Sequence, residues 1–118
     1  MGKKLIFGAV VGMFAIAYGC SSGAGTTAYS LEDFEFPLES TNVANGTEVY
    51  AEFCEGCHPG GEEGDGPKIS DAALSPAKVR WQVRVGGKDM PAFGADKISD
   101  ANLEDLLAYT ATLGTVLR

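Results

Sequence analysis

The sequence predicts an all-α domain, and three observations carry that expectation. Two stretches, from Val43 to Cys57 and from Leu103 to Leu113, place apolar residues at three- and four-residue steps, as the buried stripe of a helix requires. The region between them is punctuated by glycine, most densely in His58-Pro59-Gly60-Gly61-Glu62-Glu63-Gly64-Asp65-Gly66-Pro67-Lys68, where regular structure is not expected. Segments that read as strands are nearly absent. The chain has 118 residues, 45% of them hydrophobic and 21% charged, which suits one small domain and excludes a disordered polymer or a multi-span membrane protein. Nine basic residues stand against sixteen acidic ones, a net charge of −7, the opposite of the balance that nucleic acid attracts.

The elements follow in chain order. Lys3 and Lys4 precede thirteen largely apolar residues, Leu5 to Ala17, a charged and apolar pair of regions with the length of an export signal and too short for the ~20 residues of a membrane span. Ala17-Tyr18-Gly19-Cys20 then resembles the lipobox of bacterial lipoproteins, with Ala17 where Leu is more usual. That resemblance implies cleavage of residues 1–19 and a lipid on Cys20, exported to the periplasmic side of a membrane; Ser21 after the Cys favours the outer membrane. Cleavage deepens the net charge from −7 to −9. Residues 20–41 read as a lipidated Cys and a flexible acidic tether: 21–30 are rich in Ser, Gly, Thr and Ala, and 31–41 either stay loose or wrap the domain. Residues 42–118 are the folded domain.

Within it, Val43, Gly46, Tyr50, Phe53, Cys54 and Cys57 mark one face of a first helix. Leu103, Leu106, Leu107, Thr110 and Leu113 mark a last one, with Ser99 or Asp100 as its cap and Gly114 as its stop. Val79, Trp81, Val83 and Val85 alternate as a strand would, yet Ser75-Pro76 is a helix start; pattern alone leaves both open.

The motif with chemistry is Cys54-Glu55-Gly56-Cys57-His58, the C-x-x-C-H of c-type haem attachment. Two thiols on one helical turn reach the two vinyl groups of a haem, and the next residue is held where its imidazole meets the iron. A structural zinc site wants four ligands, and the third Cys, Cys20, lies beyond the tether. A plain Cys54–Cys57 disulfide would leave His58, the chain's single His, unexplained. Met90 is the one Met that survives cleavage. It sits among Gly86, Gly87, Pro91 and Gly94 in a rigid loop, which suits a thioether presented to iron as the sixth ligand.

Together these residues resemble the bacterial class I c-type cytochromes over residues 42–114, which implies the class I cytochrome c fold: first and last helices crossing, with short helices and loops around one covalent haem. The resemblance implies that Gly46 and Tyr50 meet Leu106 and Tyr109 at the crossing, that the Pro67 carbonyl accepts from the non-ligating nitrogen of His58, and that Gln82 lies near the haem. It also makes residues 77–85 a helix. Arg80, Trp81 and Arg84 either bond a haem propionate or form a structural group; the sequence leaves both open.

With His58 and Met90 on the iron no open position remains, so the expectation is a one-electron carrier and not an enzyme, tethered by lipid and passing electrons between redox proteins. A ligand sensor or peroxidase-like enzyme would require Met90 to be displaced, and an electron-entry subunit would require a stable larger assembly. Charge is uneven: residues 20–67 hold ten acids and no base, whereas residues 68–97 hold six bases and three acids. The basic stretch contains the Met90 loop, so an acidic docking partner is expected.

Overall fold

A computed structural model describes residues 28–118. The export signal, Cys20 and linker residues 21–27 lie outside the described residues. Those described form three α-helices and no strand, with short 3-10 turns at Leu31–Phe34 and Pro59–Gly61. The all-α expectation is met.

Helix α1 is Val43–Phe53, and its cap is Asn42, whose side chain accepts from the Asn45 N–H at 3.2 Å. Helix α3 is Asp100–Thr112, capped by Ser99, whose hydroxyl accepts from the Asn102 N–H at 3.1 Å. The two cross closely enough that a β-carbon at position 46 would lie 1.9 Å from the Asp105 carbonyl oxygen, so only glycine fits. Tyr50 and Tyr109 meet edge to face across the crossing, ring centroids 5.0 Å apart. Val49, Tyr50, Leu103, Leu106 and Leu107 are buried there.

Helix α2 is Pro76–Val85, with Ser75 as cap and Pro76 in the first turn. A strand would have placed Val79, Trp81, Val83 and Val85 on one face. The helix divides them: Val79 and Val83 go inside, while Trp81 is half-buried and Val85 exposed. The chain end closes the domain as Leu74 and Val116 form a parallel bridge, with the Leu74 N–H donating to the Thr115 carbonyl at 2.8 Å.

Of the two options for residues 31–41, the chain adopts the wrapped one. Arg80, fully buried on α2, donates to the carbonyls of Phe34, Phe36 and Pro37 at 2.7–3.0 Å and forms a two-pronged pair with Glu104 on α3 at 2.6 and 2.9 Å. The Trp81 indole donates to the Tyr29 carbonyl, the Glu39 N–H to Glu104, and the Ser40 hydroxyl to Asp105. From Tyr29 onward the segment read as a tether is therefore fastened to the domain.

Candidate functional site

The end of α1 delivers the C-x-x-C-H motif as a continuing turn. The Cys54 N–H donates to Tyr50, and the N–H groups of Cys57 and His58 both donate to the Cys54 carbonyl, at 3.1 and 2.9 Å. This puts two thiols and one imidazole on successive sides of a single turn. Cys54 is half-buried and burial pushes its thiol up to about 12, with Cys57 and Glu55 adding to the shift; Cys57 is exposed. The two cysteines do not form a disulfide with each other.

His58 is buried, with 9% of its surface exposed, and held on two sides. Its Nδ1 lies 2.7 Å from the Pro67 carbonyl oxygen. A carbonyl can only accept, so Nδ1 carries the proton and Nε2 presents its lone pair. Gly66 packs flat against the ring: a β-carbon there would lie 2.5 Å from His58 Cε1. Behind the ring, the Tyr50 hydroxyl donates to the His58 carbonyl, and burial pushes that hydroxyl up to about 12, keeping it a neutral donor.

Met90 arrives from the other side on the loop that follows α2. The Gly87 N–H donates to the Met90 carbonyl at 3.0 Å, closing a tight turn, and the Phe93 N–H returns to the Val83 carbonyl at 2.8 Å. Gln82 Nε2 lies 3.8 Å from Met90 Sδ and donates to the Gly86 carbonyl at 3.1 Å. Arg84, buried, fastens the far end of this loop by donating to the carbonyls of Phe93 and Ile98 and pairing with Asp100 at 2.6 Å.

Between these groups lies a cavity of about 590 Å³, within the usual range for a small-molecule or cofactor site. Cys54, Cys57, His58, Pro67, Gln82 and Met90 all line it, and Phe53, Ile69, Leu74, Val79, Val83, Phe93 and Leu106 make its walls apolar. The residues fit a flat apolar group anchored by two thiols and met by one imidazole and one thioether. A larger recess of about 1000 Å³ opens between residues 29–42 and helices α2 and α3, but it holds no Cys, His or Met and does not carry this chemistry.

The structure decides one question that the sequence left open and narrows another. Arg80, Trp81 and Arg84 do not line the cavity; their donors are taken by backbone carbonyls, Glu104 and Asp100, so the structural option holds. The cations that do line it are Lys68, Lys78 and Lys88, beside Asp65 and Asp89. Lys78 was legible in principle, four residues before Gln82 and hence on its helix face. The other question is charge. With Arg80 and Arg84 buried in ion pairs, four lysines face three aspartates over 68–97, and Lys68 itself lies 3.7 Å from Glu62. The basic excess at the surface is slight.

The family model described as "Cytochrome C oxidase, cbb3-type, subunit III" matches residues 41–109. The cytochrome c6 of a Picosynechococcus strain is 32% identical over 94 residues, covering 66% of this chain and 79% of the relative. The cytochrome c subunit of the 4-cresol dehydrogenase (hydroxylating) of Pseudomonas putida is 33% identical over 69 residues, covering 58% of this chain and 60% of that subunit. A second cytochrome c6, from Synechococcus, is 30% identical over 87 residues, covering 62% and 71%. No solved structure matches the chain.

Proposed function

We propose, on the premise that this chain belongs to the class I c-type cytochromes and is a haem-based electron carrier, that Cys54 and Cys57 hold its haem as thioethers and that His58 and Met90 are the two axial ligands. The covalently bound haem c of the family supplies a one-electron Fe(III)/Fe(II) couple. The observation that carries the ligand assignment is that His58 and Met90, 32 residues apart in sequence, line one apolar cavity with both thiols.

The chain's own residues then do four things. Pro67 fixes the imidazole of His58 with Nε2 available, and its acceptance from Nδ1 raises the donor strength of the ring. Gln82 directs an amide N–H toward the Met90 sulfur, which weakens that sulfur as a donor to the oxidised iron and favours the reduced state. The apolar walls keep water out and favour the less charged state of the centre. Arg84 and the turn at Gly87 hold the Met90 loop rigid, so little reorganises when an electron arrives or leaves.

The N-terminal pattern supports a cleaved export signal and a lipid on Cys20, placing the domain on the periplasmic side of a bacterial membrane, the outer one by the Ser21 pattern. Lys68, Lys78 and Lys88 around the cavity support an acidic surface on the redox partner, docked weakly. The test is a reduced-minus-oxidised absorption spectrum of protein made in a host that attaches haem. A c-type α-band with the weak near-infrared band of Met-ligated ferric iron is expected. The α-band without the near-infrared feature would overturn Met90 as ligand, and no haem spectrum would overturn the whole reading.

One relative is a dehydrogenase subunit, which favours a second reading: a subunit through which electrons enter a larger oxidoreductase. Stable co-purification with a dehydrogenase at high salt separates that reading from a free shuttle.

A further inference from the structure

Among the described residues, five large apolar side chains stand exposed, and three of them, Tyr29, Leu31 and Phe36, fall within one eight-residue stretch of the segment that wraps the domain. A fourth, Val85, lies one helical turn beyond Trp81, whose indole holds the Tyr29 carbonyl at 3.0 Å. The stretch is pinned at further points. The Tyr29 and Phe34 rings meet with centroids 5.4 Å apart, and the Arg80 guanidinium lies over the Phe36 ring at 3.7 Å. These groups are held at fixed places with apolar surface left in water. Single exposed apolar residues are ordinary; a fixed group of Tyr, Leu, Phe and Trp on one segment and the helix beneath it marks a contact surface.

We propose that residues 29–36, with Trp81 and Val85, form a face that docks onto the zwitterionic phospholipid surface in which Cys20 is anchored. This rests on the lipid reading of Cys20 given above. Chain length argues for that occupant. Cys20 is nine residues before Tyr29, so even a fully extended chain carries the face no further than about 30 Å from the lipid. A link this short gives the bilayer an effective concentration on the order of millimolar, an advantage that a protein in solution lacks. Side-chain chemistry agrees, because Trp and Tyr favour the bilayer–water interface, where the ring lies among headgroups and the polar edge stays wet. Charge selects the lipid. Residues 28–41 hold Glu32, Asp33, Glu35 and Glu39 and no base, so the face is repelled by an anionic surface and tolerated by a zwitterionic one. The same acids would oppose each other if two copies met face to face. Docking turns a tether into an orientation, so that redox partners meet the same side of the domain each time.

Hydroxyl-radical footprinting with mass spectrometry reads the accessibility of these side chains directly. Lipidated holo-protein on vesicles of phosphatidylethanolamine and phosphatidylcholine is compared with unlipidated Cys20→Ser holo-protein, exported behind an ordinary cleavable signal, beside the same vesicles. Oxidation of Tyr29, Leu31, Phe36 and Trp81 is expected to fall by about three-fold or more in the lipidated protein, as burial among headgroups requires. Leu117, exposed at the far end of the chain, should be oxidised equally in both. Two changes should each return the four residues toward the unlipidated level: Leu31→Glu, at an exposed position where folding does not depend on the side chain, and replacement of half the lipid by phosphatidylglycerol. Equal oxidation of the lipidated and unlipidated proteins would overturn the proposal, as would protection that survives Leu31→Glu. Protection of the unlipidated protein that rises with its concentration in the absence of vesicles would overturn it in favour of a second copy. An intact mass without the lipid on Cys20 would instead remove the reading beneath it.

Discussion

Helix α2 faces two ways, and its two sides do different work. One side, with Lys78, Val79, Gln82 and Val83, lines the cavity. The other, with Arg80, Trp81 and Arg84, holds the fold: Arg80 joins residues 34–37 to α3, Trp81 fastens Tyr29, and Arg84 fixes the return of the Met90 loop. The cavity side carries few hydrogen bonds and sets chemistry through contact and polarity. The far side carries many and sets position. One ten-residue helix thus separates tuning of the iron site from mechanical support, so substitutions on the two sides should fail in different ways.

The sharpest break comes on the cavity side, at the residue that the helix's loop delivers. Met90→Ala removes the proposed sixth ligand. The midpoint potential should fall on the order of 0.1–0.2 V, part of the about 0.8 V over which axial ligands set haem potentials, and the near-infrared band should vanish. Thermal stability should fall much less than for a core deletion, since Met90 is only half-buried. An unchanged potential would remove Met90 from the iron.

On the far side the expectation reverses. Arg80→Met leaves Glu104, 7% exposed, as a buried charge without its partner and frees three carbonyls of the segment 34–37. Breaking such a pair costs about 3–5 kcal/mol, so holo-protein should melt far earlier with its potential nearly unmoved. Arg80→Met combined with Glu104→Leu should recover much of that loss, because the desolvated charge goes too. A large potential shift in Arg80→Met with unchanged stability would contradict the division of the helix and return Arg80 to the cofactor.

This division marks the limit of what the sequence could show. Both long helices and the C-x-x-C-H turn depend on spacing within a few residues, and spacing is visible in a sequence; their crossing at Gly46 and Tyr50 joins residues far apart in the chain and was expected only by resemblance. The bond between His58 and the Pro67 carbonyl was expected by resemblance and is present, whereas for Gln82 the resemblance implied only a place near the haem, and its position beside the Met90 sulfur comes from the structure. The roles of Arg80 and Arg84 depend on partners 9 to 46 residues away, and a guanidinium suits a propionate as well as a carbonyl, so residue type could not decide. The wrapping of residues 31–41 was undecidable for the same reason: what holds it is a buried Arg on a helix whose own pattern read equally well as a strand.

A smaller effect sharpens the cavity side. Gln82→Leu keeps the volume and removes the N–H that points at the Met90 sulfur. A weak sulfur hydrogen bond is worth about 0.5–1 kcal/mol, which converts to a fall of roughly 20–40 mV for one electron at 59 mV per tenfold. Redox titration should show that fall while the melting temperature changes by only a few degrees. A potential that rises would mean that the amide is not donating to sulfur.

The smallest effect concerns the rim, where tuning meets docking. Lys88 is exposed on the Met90 loop and lines the cavity; Lys97 is also exposed but does not line it. Neutralising either one changes the net charge by the same single unit, so any difference between them reports local position. The oxidation rate by hexacyanoferrate(III), a small anionic oxidant, should fall about two-fold in Lys88→Gln at low ionic strength and converge with the parent once salt shortens the screening length. Lys97→Gln should change the rate less. Equal effects would mean that the overall charge steers the encounter and that the electron does not leave through the cavity mouth. The difference between the two lysines thus tests, without knowing the natural partner, whether the side of the molecule that tunes the iron is also the side that meets it.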